Sequence, residues 1–172
     1  MPHYVGVAIE LPEPHRSFVH RRRVHFGDPS AALMPPHVTL LPPTLVKDSN
    51  VDDVVDHLSR VAADAAPFEI RLLGTATFRP VTPTVFIPLA VGAAACEQLE
   101  RAVRSGPLRR RLPFPFHPHV TVGFEMPDEA LDAVMADLSA FSASFVVSGF
   151  SMYELGSDGV WRPVAEFELG SG

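Results

Sequence analysis

The sequence has few residues of several chemically distinctive kinds: one cysteine, one tryptophan and one lysine occur among its 172 residues. A single cysteine excludes an intrachain disulfide, and the position of Cys96 in an alanine-rich predicted helix favours a small buried residue over a nucleophile. No run approaches the ~18 apolar residues of a membrane span. The N-terminal residues lack a basic region followed by a long apolar stretch, which indicates no secretory signal. We therefore expect a cytoplasmic protein without a membrane partner.

Positive charge is also scarce, and this limits the classes of partner. The chain carries 14 basic and 20 acidic residues, and its formal net charge of −6 argues against a protein that coats nucleic acid through a broad basic field. A small anionic substrate is compatible with this balance. Arginine accounts for 13 of the 14 basic residues, with runs at 21–23 and 109–111. Most such runs are solvated surface, but planar guanidinium groups also suit phosphate, so the second run is a candidate phosphate contact.

One tetrapeptide, Pro-His-Val-Thr, occurs twice, beginning at Pro36 and again at Pro118. Chance would give roughly 0.04 His-Val-Thr triplets in a chain of this composition. In an extended strand the residues i and i+2 point to one face and i+1 points to the other, so each histidine shares a face with its threonine while the valine anchors the strand. The side chains grouped in this way are His37 with Thr39 and His119 with Thr121.

Hydrophobic periodicity and turn residues predict alternating strands and helices. Strands are predicted at 4–11, 37–46, 68–78, 84–91, 119–124, 144–155 and 161–169, and helices at 12–25, 51–61, 92–104 and 127–138. The two halves follow the same order, and the two motif histidines are 119 − 37 = 82 residues apart, close to half of the chain. We expect an α+β fold in a single domain, residues 1–172, with two pseudo-symmetric lobes of mainly antiparallel sheet, helices on the outside and a central cleft.

Two opposed imidazoles can carry out both proton transfers of phosphodiester cleavage. One ring removes a proton from the nucleophile while the other delivers a proton to the leaving oxygen, and the ordinary histidine pKa of ~6.5 allows both states near neutral pH. Each threonine hydroxyl, ~7 Å along the strand from its histidine, can donate to a non-bridging phosphate oxygen. This scheme requires no metal and no cofactor.

The duplicated motif resembles the signature of the two-histidine phosphoesterase superfamily, which includes bacterial 2′,5′ RNA ligase-like proteins and RNA 2′,3′-cyclic phosphodiesterases. That signature is His-x-Thr/Ser-x, present twice on strands that line a cleft between two similar lobes. The resemblance implies that His37 and His119 are catalytic and that Thr39 and Thr121 bind the phosphate. It also implies a phosphodiesterase that acts on 2′,3′-cyclic phosphates or on 2′,5′-linked RNA or nucleotides, and the two-imidazole chemistry makes this activity metal-independent. The sequence indicates no obligate protein partner, and we expect a monomer.

Further substrate contacts are less clearly marked by the sequence. RNA-directed relatives often carry a basic residue soon after the second motif, whereas this chain continues Gly123-Phe124-Glu125. Arg79, in the loop after a long predicted strand, and the run 109–111 are candidate replacements. Phe116 and Trp161 are candidates for stacking on a base.

Three alternatives remain open from the sequence. The cleft of a binding module would hold a nucleotide or an RNA end without turnover. A ligase would run the reverse reaction on RNA ends with the same acid and base. A zinc-type site would use His37, His117 and His119, since the latter two have i, i+2 spacing. The remaining histidines are expected to be structural or solvated, and His57, which falls off the apolar stripe of its helix, is expected to be solvated.

Overall fold

The computed structural model describes residues 2–170, which form an antiparallel sheet and four α-helices. The strands are β1 (His3–Glu10), β2 (His37–Val46), β3 (Phe68–Leu73), β4 (Ala76–Thr77), β5 (Thr84–Val91), β6 (His119–Phe124), β7 (Ser142–Val147), β8 (Gly149–Leu155) and β9 (Trp161–Glu168). The helices are α1 (His15–His25), α2 (Val51–Asp64), α3 (Ala93–Val103) and α4 (Asp128–Asp137). The predicted α+β class is confirmed.

The strands are arranged symmetrically about the two that carry the repeated motif. The sheet order is β7-β3-β5-β6-β2-β1-β8-β9, with β4 beside β5, and the pairings are antiparallel. The junction of β6 with β2 lies at the centre of this order. The first half of the chain contributes β3 and β4 to the side that contains β6, where both pair with β5. The second half contributes β8 and β9 to the side that contains β2, where β8 pairs with β1. The two sides are therefore not the two halves of the chain.

The strand predicted over 144–155 is wrong in one respect, because the structure divides it into two. β7 ends at Val147 and pairs with β3, whereas β8 begins at Gly149 and pairs with β1 on the opposite side of the sheet. The buried positions change phase at this break: Ala143 and Val147 are buried in β7, but Phe150 and Met152 are buried in β8. A two-residue period cannot change phase within one regular strand.

One face of the central strands forms the core, and the motif side chains lie on the other face. Val38 and Leu40 of β2 and Val120 and Val122 of β6 are fully buried, in a core that also includes apolar side chains from all four helices. The helix α3 packs against β2, and α4 packs against β5 and β6. Alternation then leaves each motif histidine and threonine on the opposite, partly exposed face.

Cys96 and His57 lie outside the cleft, and their burial can be compared with the burial expected from sequence. Cys96 is fully buried, and burial raises the pKa of its thiol to about 12, in agreement with its predicted role as a core residue. His57 is not solvated as expected: only 8% of it is exposed, and its Nε2–H donates to the Val103 carbonyl oxygen at 3.0 Å. The packing of α2 against the end of α3, a contact between distant segments, encloses this ring.

Among residues 2–170, every helix is too short or too polar to span a membrane.

Candidate active site in the central cleft

The pairing of β2 with β6 brings the two copies of the motif together. Val38 lies opposite Val120 in this antiparallel pair. Counting outward by one residue in each direction places His37 opposite Thr121, and Thr39 opposite His119. All four side chains share one face, and the two histidines are diagonal neighbours, for which residue separations of about 7–8 Å are typical. The four residues line one cavity of about 920 Å³.

Each motif histidine is held in the same tautomer by a carbonyl two residues earlier. The Nδ1–H of His37 donates to the carbonyl oxygen of Pro35 at 2.8 Å, and that of His119 donates to the carbonyl oxygen of His117 at 2.5 Å. Because a carbonyl only accepts, Nδ1 must carry the hydrogen in both rings. The Nε2 atom of each neutral ring therefore keeps its lone pair and can accept a proton.

The first copy of the motif contains an additional hydrogen bond. The Thr39 hydroxyl lies 3.1 Å from Nε2 of His37, and it donates to that nitrogen in the neutral ring. This bond joins the two polar side chains of the copy on the cleft face. The threonine hydroxyl is thus already positioned beside the nitrogen at which proton transfer would take place.

Burial keeps both imidazoles uncharged near neutral pH. Desolvation lowers the pKa of His37 to about 4, and the positive charge of Arg23 acts in the same direction, against the Pro35 carbonyl, which raises it. Desolvation also lowers the pKa of His119, and the charge of the neighbouring His117 adds to this effect. At pH 7 both rings are therefore available as bases, with His37 held neutral most strongly.

A buried arginine, Arg23, lies in the wall of the cleft on the His37 side. Only 3% of Arg23 is exposed, and its guanidinium donates to Asp28 Oδ2 at 3.0 Å, to Ser30 Oγ at 2.8 Å and to the Met34 carbonyl at 3.3 Å. The run 21–23 is therefore not entirely solvated. Spacing could have indicated this, because Arg23 follows the buried Val19 by four residues and so lies on the same face of α1.

Aromatic rings surround the second histidine. The rings of Phe78 and Phe86 each lie 5.1 Å from the His119 ring, centroid to centroid, and both also approach His117 at 5.2 Å. Phe86 is the partner of Thr121 in the pairing of β5 with β6. No local pattern marks these phenylalanines as site residues, because their position depends on which strand lies beside β6.

The other predicted contacts are divided between the cleft and its surroundings. Trp161 lines the cleft with the two motifs. Phe116 instead lines a neighbouring groove, where it packs against the core. The Arg79 guanidinium is directed to α4, where it pairs with Asp132 at 2.9 Å and Asp128 at 3.6 Å. The structure thus brings one of these three residues into the cleft.

The three-histidine metal site lacks the required arrangement. The Nδ1–H of His119 donates to the His117 carbonyl oxygen, so this ring could offer only its Nε2 atom to a metal ion. Throughout the described part of the chain, residues 2–170, no group of three or more His, Cys, Asp or Glu side chains is placed to hold a metal ion.

Two motif-bearing strands at the centre of a symmetric antiparallel sheet, with paired histidines and threonines on one face, form the arrangement expected of the two-histidine phosphoesterase superfamily. In agreement with this class, a sequence model of the 2′-5′ RNA ligase superfamily matches residues 11–159, and the chain belongs to that family.

Individual relatives are consistent with this assignment. A Bacillus licheniformis protein named "Putative phosphoesterase" is 30% identical over 146 residues, which cover 84% of this chain and 86% of the relative. The crystal structure of Escherichia coli LigT complexed with NADP+ superposes with a TM-score of 0.72 at 22% identity, with full coverage of both chains. The same protein complexed with 3′-AMP gives a TM-score of 0.69 at 19% identity, covering 98% of this chain and 99% of LigT. These two likenesses concern the fold.

Proposed function

We propose that this protein is a metal-independent phosphodiesterase that hydrolyses 2′,3′-cyclic phosphates or 2′,5′-linked diesters of RNA ends and nucleotides. The observation that carries the proposal is the β2–β6 register, which places two His/Thr pairs on one face with both Nε2 atoms free of a backbone partner. Nucleotide ligands in the structural neighbour LigT, 3′-AMP and NADP+, support a substrate of this chemical class.

In this scheme the phosphate binds between the two histidines. The Thr39 and Thr121 hydroxyls donate to its non-bridging oxygens and stabilise negative charge as the transition state forms. A diagonal arrangement of the imidazoles places one on the side of the attacking oxygen and the other on the side of the leaving oxygen. An in-line displacement needs proton transfer at these two positions.

The surroundings of the two rings suggest their roles in hydrolysis. His37, which desolvation and the nearby Arg23 charge hold neutral, takes a proton from water as the water oxygen attacks phosphorus. The bond from phosphorus to the 3′-oxygen then breaks, and His119 gives its Nε2 proton to that oxygen, leaving a 2′-phosphate. The anionic diester raises the pKa of His119 in the complex, because an adjacent negative charge favours the imidazolium form.

Two other functions use the same cleft. A ligase would exchange the roles of acid and base by microscopic reversibility, joining RNA ends through a 2′,5′ linkage. A binding module would hold the nucleotide without turnover. Two complete motifs, each with an Nε2 atom that faces the cleft and has no backbone partner, favour catalysis over binding alone, because binding requires no second proton-transfer group.

The decisive experiment is a screen of cyclic mononucleotides and 2′,5′-linked dinucleotides with the purified protein in excess EDTA. We expect hydrolysis of at least one substrate, and strict loss of activity on chelation would overturn the metal-free scheme. His25→Ala is the control for replacement of His37 or His119 by alanine, since His25 is exposed on α1 outside the cleft. Nucleotide binding that depends on His37 and His119, without any turnover, would support the binding module instead.

A further inference from the structure

A second groove adjoins the cleft and is lined by arginine. Its volume is about 910 Å³, and five arginines from the end of α3 and the following loop contribute to its walls. They are Arg101, Arg104, Arg109, Arg110 and Arg111. The segment 101–118 contains these five cations and no acidic residue, although the whole chain has a net charge of −6. Positive charge is thus concentrated beside the candidate active site.

The groove is continuous with the cleft on the His119 side. Phe114 and Pro115 line both cavities. The Phe114 side chain is 59% exposed and lies where the two cavities adjoin, so its ring is accessible to a ligand in either of them. The same segment continues directly to His117, whose carbonyl fixes the His119 tautomer. A ligand that leaves the cleft past Phe114 therefore enters the arginine-lined groove.

The arginines of the groove divide into those that hold the loop and those that remain available. Arg104 donates to Glu100 Oε1 at 2.5 Å and to the Arg110 carbonyl at 3.0 Å, and Arg110 donates to the Pro43 carbonyl at 2.9 Å. These bonds fix the loop to α3 and β2. Arg109 and Arg111 are exposed, and neither makes an ion pair with any acidic side chain in residues 2–170. Two guanidinium groups on a fixed loop are thus free to bind an anion.

We propose that this groove binds the sugar-phosphate backbone of a short single-stranded RNA whose terminal phosphodiester occupies the cleft, with Arg109 and Arg111 on phosphates and Phe114 under a base. The proposal rests on the proposed function and narrows the substrate from a mononucleotide to an RNA end of several nucleotides. Planar guanidinium groups match phosphate oxygens, and an exposed aromatic ring beside them is typical of single-strand binding. An acidic peptide could also bind the arginines of the groove, but it would not explain why the groove adjoins a cleft suited to a phosphodiester.

The test compares a 2′,3′-cyclic mononucleotide with a tetranucleotide that ends in a 2′,3′-cyclic phosphate. The wild type should show a higher kcat/KM for the tetranucleotide, and the ratio of the two values should fall about tenfold or more in Arg109→Ala/Arg111→Ala. Binding should also become less dependent on salt, because each phosphate that a guanidinium neutralises adds about 0.7 to the slope of log K against log salt. Arg60→Ala/Arg71→Ala, which removes two exposed arginines outside both cavities, should change neither ratio nor slope.

Three results would overturn the groove proposal. The first is equal kcat/KM for the two substrates in the wild type. The second is an equal fall in the ratio of these two values in Arg109→Ala/Arg111→Ala and in Arg60→Ala/Arg71→Ala. The third is competition by a hexaglutamate peptide as strong as that by an oligonucleotide, which would indicate a peptide ligand.

If the wild type cleaves neither substrate, the proposed function fails and the groove is decided by binding alone. The probe is then a 2′-O-methyl tetranucleotide with a 3′-phosphate, followed by fluorescence anisotropy and compared with the corresponding mononucleotide. Tighter binding of the tetranucleotide that disappears in Arg109→Ala/Arg111→Ala supports the groove. Equal affinities of the wild type for the tetranucleotide and the mononucleotide reject the groove proposal. An equal loss of tetranucleotide affinity in Arg109→Ala/Arg111→Ala and Arg60→Ala/Arg71→Ala also rejects it.

Discussion

The two copies of Pro-His-Val-Thr have identical sequences and equivalent backbones, but they lie in different surroundings. Both histidines donate from Nδ1 to a carbonyl two residues earlier. His37 then adds a hydrogen bond from Thr39 and the nearby charge of buried Arg23, whereas His119 is enclosed by the rings of Phe78 and Phe86. A duplicated motif thus supplies two equal proton-transfer groups, and the residues around each copy make them unequal.

The largest expected effect is the loss of turnover on replacement of either motif histidine, and it distinguishes the general base from the general acid. His37→Ala and His119→Ala should each reduce turnover of a 2′,3′-cyclic phosphate by on the order of 10²- to 10⁴-fold, because each removes a positioned proton-transfer group. On a nucleoside p-nitrophenyl phosphodiester, whose leaving group needs no proton, His119→Ala should recover much of the missing activity and His37→Ala should not. Initial rates with the two substrates measure this difference. Recovery in His37→Ala alone would reverse the assignment.

The threonines test whether both copies stabilise the transition state equally. Thr39→Val and Thr121→Val should each lower kcat by about 10²-fold, as expected for removal of one donor to a developing charge. Only Thr39→Val should also raise the pKa of His37, since it removes the hydroxyl that donates to the neutral ring. A pH profile of kcat/KM for both variants tests this, with Thr39→Ser and Thr121→Ser as controls that keep the hydroxyl. Identical profiles for the two valine variants would contradict the asymmetry.

Removal of the buried Arg23 should bring the pKa values of His37 and His119 closer together. Arg23→Met combined with Asp28→Asn removes the cation without leaving its partner as an unpaired buried carboxylate. The pKa of His37 should then rise toward its ordinary value, because Arg23 no longer opposes protonation, while that of His119 should stay where it is. NMR titration of the histidine ring protons measures both pKa values. An unchanged His37 pKa would show that the charge of Arg23 does not contribute to it.

The smallest effect concerns stability in acid. Because the folded-state pKa of His37 lies below its unfolded value of ~6.5, the unfolded chain binds more protons as the pH falls through that range, and stability decreases until about pH 4. The contribution of His37 between about pH 7.5 and 4.5 should be on the order of 2 kcal/mol. Urea unfolding at the two pH values should show a smaller decrease in His37→Asn than in the wild type, with His25→Ala as the control. An equal decrease in His37→Asn would contradict the depressed pKa.

Local sequence determined several features of the site directly. The starts of β2 and β6 at the two motif histidines follow from the preceding prolines and from alternation within each tetrapeptide. The His/Thr pairing on one face follows from strand geometry alone. Cys96 was identified as a core residue in the same way. These features depend on residues within a few positions of one another, so a single sequence is sufficient to predict them.

Contacts between distant segments decided the rest. The placement of β2 beside β6, the exchange of β3 and β8 between the two sides of the sheet, and the break at Ser148 depend on which strands pair, which no local pattern encodes. The sequence marks Arg79 as a candidate phosphate contact, but the position of α4 supplies Asp128 and Asp132 as its partners. Local sequence therefore predicts which chemical groups the site contains. The register, protonation and neighbours of these groups follow from the packing of distant segments, because they depend on burial and on charges contributed by other elements of the fold.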